Sequence, residues 1–278
     1  MRFRDKVVWI TGASSGIGEA LAYAFYEEGA NLILSARRKS QLERVMSECK
    51  NGEGEIYVQP LDMSQTEKMT DASNSVVDRL SRIDILVNCA GIAQRSSVLN
   101  AELHVFHKIM QVNFFGAVAL TKAVLPSMVH RSSGQIVIIG SPAGLFGTPL
   151  RSGYAASKHA VHGFFDCLRA EVAGNGIFVT NVIPGPIRTN MSISSLTGDG
   201  DTYGIMDKFL ENGISPVECA KRTLTGIARK KEEVYVVTPA LRRMLLIRRF
   251  FPRWFSKLAK DMAPRCPFLS TMAGWAMG

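Results

Sequence analysis

Tyr154 and Lys158 stand four residues apart in the stretch GYAASKHA, residues 153–160. On a helix that spacing puts a phenol and an ammonium on one face. A free phenol gives up its proton near pH ~10, so alone it is a poor acid or base at neutral pH. A neighbouring ammonium favours the phenolate and turns such a group into a usable proton carrier. The same spacing also occurs on ordinary solvated helix faces, so its company has to decide. Ser141 lies 13 residues upstream, just past the apolar run QIVIIG. A hydroxyl at the carboxyl end of a parallel strand faces the crevice where ligands bind in such sheets. Asn88, in NCAG (88–91), ends another apolar run in the same way. Asn113, in QVNFFG, interrupts an apolar helical stretch, and a buried amide there needs partners, either structural or water in a relay.

The elements that must position these groups follow from the hydrophobic pattern. Apolar runs at 6–11, 31–36, 55–60, 83–88, 134–140, 176–183 and 233–237 predict strands. Most are apolar throughout instead of alternating, as strands covered on both faces are. Helical patterns fill 16–29, 38–50, 64–81, 101–130, 153–174 and 215–229. The last opens SPVE, with Ser215 as N-cap, Pro216 at the first helical position and Glu218 as capping-box partner. This alternation predicts an α/β fold, a Rossmann-type doubly wound sheet of about seven parallel strands flanked by helices. Residues 1–238 are read as one dinucleotide-binding and catalytic domain. Within it, the irregular, Gly/Ser/Thr-rich stretch 185–214 suggests a mobile lid over 186–213. Residues 239–278 form a basic, aromatic extension.

Between the first strand and first helix stands TGASSGIGEA. Gly12, Gly16 and Gly18 let the backbone approach a pyrophosphate, and the helix N-terminus around Ser14, Ser15 and Ile17 offers free N–H groups. Where an acid would bind the ribose 2′-hydroxyl of NAD, the second strand ends in Ala36, followed by Arg37 and Arg38. Guanidinium groups without a carboxylate suit a 2′-phosphate, so NADP(H) is the expected cofactor; the alternative is a solvated basic helix start.

The length of 278 residues fits one large α/β domain, and 46% hydrophobic content can fill its core. Cys49, Cys89, Cys167, Cys219 and Cys266 are dispersed and odd in number, which reads as reduced thiols in a cytosolic or organellar compartment. No signal peptide is expected, since MRFRDKVVWITG leads almost directly into a strand, and no apolar run nears the ~18–20 residues of a spanning helix. His104 and His107 lack a third ligand, so no metal site is expected; His159 and His162 read as helix packing. Of the net charge of +9, residues 241–265 carry +7, eight basic groups against Asp261. A nearly neutral body argues against nucleic acid, as does the absence of a recognition motif. In ALRRMLLIRRFFPRWFSKLAK (240–260), Leu241, Met244, Leu245 and Ile247 share a helical side, and Trp254 and Phe255 follow Pro252. That mixture predicts either peripheral docking on an anionic membrane from the cytoplasm or packing on the same or a partner subunit.

Taken in order, TGASSGIG, NCAG, Asn113, Ser141, YAASK and PGPIRT (184–189) resemble the short-chain dehydrogenase/reductase family over about residues 5–238. Cys89 stands where that family often has a second Asn. The resemblance implies that Tyr154 is the general acid in the reductive direction. Lys158 would support it and hold the nicotinamide ribose, Ser141 would bond the substrate oxygen, and Asn113 would position a water linking Lys158 to solvent. It further implies adenine contact at Asp62, adenosine and ribose contacts at Asn88, Ala90 and Gly91, and nicotinamide and diphosphate contacts at Pro184, Gly185, Ile187 and Thr189. Residues 189–207 and the SPVECAKRTLTGIARKKEEV that follows resemble membrane-associated reductases, among them the peroxisomal reductase of acyl- and alkyl-dihydroxyacetone phosphate, which carry an N-terminal hydrophobic anchor not expected here. A homodimer or homotetramer through the helices near 101–130 and 153–174 is likewise implied. The combined expectation is an NADPH-dependent reductase of lipophilic carbonyls, or dehydrogenase of the matching alcohols. A non-catalytic NADP-binding sensor or scaffold and a reductase of small polar carbonyls are the rivals.

Overall fold

The apolar runs become the strands of one parallel sheet. In the computed structural model, which describes residues 1–262, these are β1 (Val7–Thr11), β2 (Asn31–Ser35), β3 (Ile56–Val58), β4 (Ile85–Asn88), β5 (Gly134–Ile139), β6 (Ile177–Pro184) and β7 (Glu233–Val236). Their order is β3-β2-β1-β4-β5-β6-β7. Val8 is in register with Leu32 on one side and Ile85 on the other. The chain winds outward from β1 and then returns to β4, so the order reverses between these two strands. In open parallel sheets the ligand crevice lies at that reversal, outside the carboxyl ends.

Helices cover both faces: α1 (Gly16–Glu27), α2 (Lys39–Glu48), α3 (Met69–Leu80), α4 (Leu103–Met110), α5 (Gly116–His130), α6 (Ser152–Glu171), a single turn α7 (Lys208–Glu211), α8 (Pro216–Ala228), α9 (Pro239–Phe250) and α10 (Pro252–Met262). Alternate strand residues feed two cores. Val8, Ile10 and Leu32 pack with Phe25 of α1 and Leu224 of α8. Trp9, Ile33 and Leu86 pack with Val76 of α3, Val124 of α5 and Phe165 of α6. Burying each of these large side chains contributes about 1.5–3 kcal/mol. Only the edge strand β7 alternates, with Glu233 and Tyr235 exposed and Val234 and Val236 buried.

Several local expectations change. The predicted 101–130 helix starts at Leu103 and contains a wide π turn over Gln111–Phe115 between α4 and α5. The continuous run Leu103–His130, which holds only Lys108 and Lys122 as charged residues, is long and apolar enough to cross a membrane by length and composition, contrary to the expectation that no run was. In this fold it is a core helix whose Val105, Ile109, Leu120 and Val124 are fully buried. Ser215 caps α8 by accepting the Glu218 N–H at 3.2 Å, but the Glu218 carboxylate pairs with Arg222 instead of closing the capping box. The 185–214 stretch contains α7 and backbone bridges from Leu196 to Gln94 and from Ile187 to Ile214. Residues 263–278 of the extension, with Arg265 and Cys266, lie outside the described residues.

Candidate active site

α6 presents Tyr154 and Lys158 on one buried face, at 8% and 5% exposure. The Lys158 ammonium donates to the Ile139 carbonyl at 2.8 Å, at the very end of β5, and sits 5.8 Å from the Tyr154 ring centroid. The ring packs among Ala93, Ala143 and Ala155, with Met191 of the 186–213 segment against them. Ser141 follows β5 after the single residue Gly140. It caps a short 3-10 turn, Pro142–Gly144, by accepting the Ala143 N–H at 3.1 Å. One of its two lone pairs is thereby used, and its hydroxyl proton has no acceptor among the described residues.

Asn113 occupies the π turn, a feature that often marks functional sites. It is 1% exposed. Its Oδ1 accepts the Ile92 N–H at 2.8 Å, while Nδ2 donates to the Ile92 carbonyl and the Ser157 hydroxyl at 2.9 Å each. Ser157 in turn donates to the Tyr154 carbonyl at 2.8 Å. Gly91 fits between these groups: a Cβ there would lie 3.3 Å from Asn113 Oδ1 and 3.8 Å from Lys158 Nζ. Asn113 therefore ties the loop after β4 to the second turn of α6.

The glycine turn forms a cradle at the same sheet edge. Gly12 and Gly16 adopt φ of +68° and +61°. A Cβ on Gly12 would sit 2.8 Å from Ala90 Cα, and one on Gly16 would sit 3.0 Å from the Thr189 methyl. Gly18 closes on the Gly12 carbonyl. Ser15 leads into α1 with no side-chain cap, and Ser14 and Ile17 flank it half-buried. A glycine-rich turn at a helix N-terminus without a side-chain cap fits a dinucleotide pyrophosphate. Arg37 and Arg38 are exposed at the start of α2, and their side chains make no ion pair or hydrogen bond among the described residues. Pro184 ends β6, and Gly185 donates its N–H to Val236 at 2.9 Å. Ile187 is buried, and the Thr189 hydroxyl turns back to the Ile187 carbonyl at 3.4 Å.

Asp62 and Asn88 each make local bonds of their own. Asp62 Oδ1 closes a local turn with the Ser64 N–H and hydroxyl. Asn88 is buried; its amide braces α5 through the Thr121 hydroxyl at 3.0 Å, and its Oδ1 has no partner among the described residues.

Four positioning elements were not found from the sequence. The Thr11 hydroxyl donates to the Val87 carbonyl and accepts the N–H groups of Cys89 and Ala90, which holds NCAG against the end of β1. The only sequence signal was a hydroxyl at the end of an apolar strand. His162, one turn beyond Lys158, is buried and accepts the Ser141 N–H at 3.4 Å. Burial, then the Lys158 charge, pushes its imidazole down to about 4, so it is neutral at pH 7 and positions the Ser141 backbone. Arg44 of α2 reaches the Ser14 carbonyl at 3.3 Å while paired with Glu19 and Glu48. The largely buried pair Arg95–Asp207, joined at 3.4 Å by Arg151, clamps the 186–213 segment to the loop after β4. Cys89 lies beside this site, and burial pushes its thiol up to about 12, which disfavours the thiolate.

The chain as a whole is similar to known proteins. A family model for short chain dehydrogenase matches residues 6–199. The chain is 41% identical over 266 residues to dehydrogenase/reductase SDR family member 7B of Danio rerio, covering 94% of this chain and 86% of that one. It is 40% identical over 255 residues to dehydrogenase/reductase SDR family member 7 of Homo sapiens, covering 90% and 75%. A short-chain dehydrogenase/reductase from Burkholderia phymatum, solved in complex with NAD, shares the fold with a TM-score of 0.80 at 20% identity, over 90% of this chain and 94% of that one. A short-chain dehydrogenase from Sphingobium yanoikuyae, solved in complex with NADPH, superposes with a TM-score of 0.74 at 26% identity, over 86% and 90%. The chain belongs to the short-chain dehydrogenase/reductase family and has the fold of an oxidoreductase of that family.

Proposed function

We propose that the protein is an NADPH-dependent reductase of a lipophilic ketone or aldehyde, working in reverse as a dehydrogenase of the matching alcohol. The observation that carries the chemistry is the buried Tyr154–Lys158 face of α6, held at the end of β5 beside Ser141. The nicotinamide cofactor, when bound in the glycine cradle, supplies or takes the hydride. Tyr154 gives its phenolic proton to the carbonyl oxygen. Lys158 spends one N–H on Ile139, which leaves two donors for the nicotinamide ribose and for the negative charge left on the phenol. The Ser141 hydroxyl proton has no acceptor among the described residues and is free to donate to the substrate oxygen and stabilise charge developing there. Asn113 fixes the wall behind Lys158, and its remaining Oδ1 lone pair is available to a water. The unpaired Arg37 and Arg38 favour the 2′-phosphate of NADPH, and one similar solved structure holds that cofactor. The small apolar surround of Tyr154, closed by Met191, supports an apolar substrate. A second copy of the chain would pack on α4–α5 and α6, where exposed Phe115 extends the Phe114 and Phe164 cluster.

Spectrophotometric turnover with a panel of lipophilic and small polar carbonyls tests this reading. We expect NADPH oxidation with the lipophilic set. Arg37→Asp should raise the Michaelis constant for NADPH far more than that for NADH. Turnover confined to small polar carbonyls would overturn the substrate assignment, and an equal response of the two cofactors would overturn the role of Arg37.

A further inference from the structure

We infer that the α9–α10 hairpin is a docking face for an anionic lipid surface, carried on the rim of the active site. Residues 239–258 hold six cations, Arg242, Arg243, Arg248, Arg249, Arg253 and Lys257, and no carboxylate. All six are exposed, and none forms an ion pair among the described residues. Interleaved with them, Leu246, Phe250, Phe251, Trp254 and Leu258 are 44–65% exposed. Apolar side chains of this size left in water amid unpaired positive charge fit a surface that offers both headgroup anions and an acyl boundary. Self-association through this face would bring two sets of six cations together, so a second copy is the poorer occupant.

The opposite side of the hairpin is anchored. Thr238 caps α9 through the Leu241 N–H at 3.3 Å. Leu241 rests on Gly185, where a Cβ would approach its Cδ2 to 3.0 Å. Phe255 follows the packing alternative for the extension: it is 8% exposed and stacks edge-on against Phe146 at 5.2 Å, on the loop that follows Ser141. The hairpin thus bridges the segment after β6 and the segment after β5, the two that frame the site. Excess positive charge continues onto the body, where Arg242 lines a cleft of about 430 Å³ with Lys221, Lys231, Glu233 and the Glu218-paired Arg222. A bilayer bound here lies next to those loops, which gives a lipophilic substrate a short route out of the membrane.

Co-sedimentation of the full chain with phosphatidylcholine vesicles, with or without phosphatidylserine, tests the inference and needs no turnover, so it stands or falls separately from the reaction. Binding should require phosphatidylserine and weaken as salt rises. Arg248→Gln with Arg249→Gln should lower it about tenfold or more. Phe250→Ser with Trp254→Ser should lower it by a similar factor, while turnover of a water-soluble carbonyl stays unchanged. Undiminished vesicle binding by either double variant would overturn the inference. So would binding indifferent to lipid charge, preference for RNA over vesicles, or vesicle-free self-association relieved by Phe250→Ser with Trp254→Ser.

Discussion

His162 shows how a residue that looked like packing can set the behaviour of its neighbours. Its imidazole is buried and accepts a main-chain N–H, so the folded state holds it neutral. The folded value lies near 4 against an ordinary 6.5, so the unfolded chain binds more protons between these limits. Stability from this group is therefore full above pH ~6.5 and is lost as pH falls toward about 4. Thermal unfolding at pH 7 and pH 5 should show a smaller loss for His162→Gln than for the parent protein; equal losses would remove the titration. Thr11→Val would strand the N–H groups of Cys89 and Ala90 and cost about 2–4 kcal/mol in denaturant unfolding. Neither role was legible in the sequence, because both depend on partners brought together only by the sheet: Thr11 meets residues 78 and 79 positions away. Tyr154 and Lys158 were legible because both lie on one helix, where spacing alone determines the face.

At the scale of elements, the strand and helix order was readable because each apolar run and each glycine turn is a local signal. Edges were less readable. The run 55–60 is strand only over Ile56–Val58, although the Gln59 and Leu61 N–H groups still donate to the Leu34 and Ala36 carbonyls. The π turn at Asn113 left no trace in the pattern beyond one amide in an apolar helix. The segment 185–214 looked irregular because its order comes from distant bonds, above all Arg95 to Asp207. Asp207→Asn would leave Arg95 buried with its charge uncompensated, which costs about 3–5 kcal/mol. Limited proteolysis should then cut within 186–213 much faster than in the parent protein, and an unchanged cutting rate would show that the clamp is not what orders the segment.

At the scale of the molecule, the doubly wound sheet explains why residues scattered from Thr11 to Thr189 meet at one edge. Every strand runs the same way, so every carboxyl end opens onto the same crevice. The tail is where sequence alone ran out. Helical periodicity separated Leu241 from the arginines, but it could not tell that Phe255 turns inward onto Phe146 while its neighbour Trp254 faces solvent. Assembly belongs to this scale too: if α4–α5 and α6 join two copies, Phe115→Glu should shift sedimentation from dimer or tetramer to monomer, and an unchanged sedimentation coefficient would move the interface elsewhere. The chemistry itself rests on one phenol, and Tyr154→Phe tests it most directly. Turnover of NADPH with a responsive lipophilic ketone should fall by several orders of magnitude while NADPH affinity, measured by fluorescence titration, is largely kept. Equal turnover by the two proteins would contradict the assignment of Tyr154 as the proton donor.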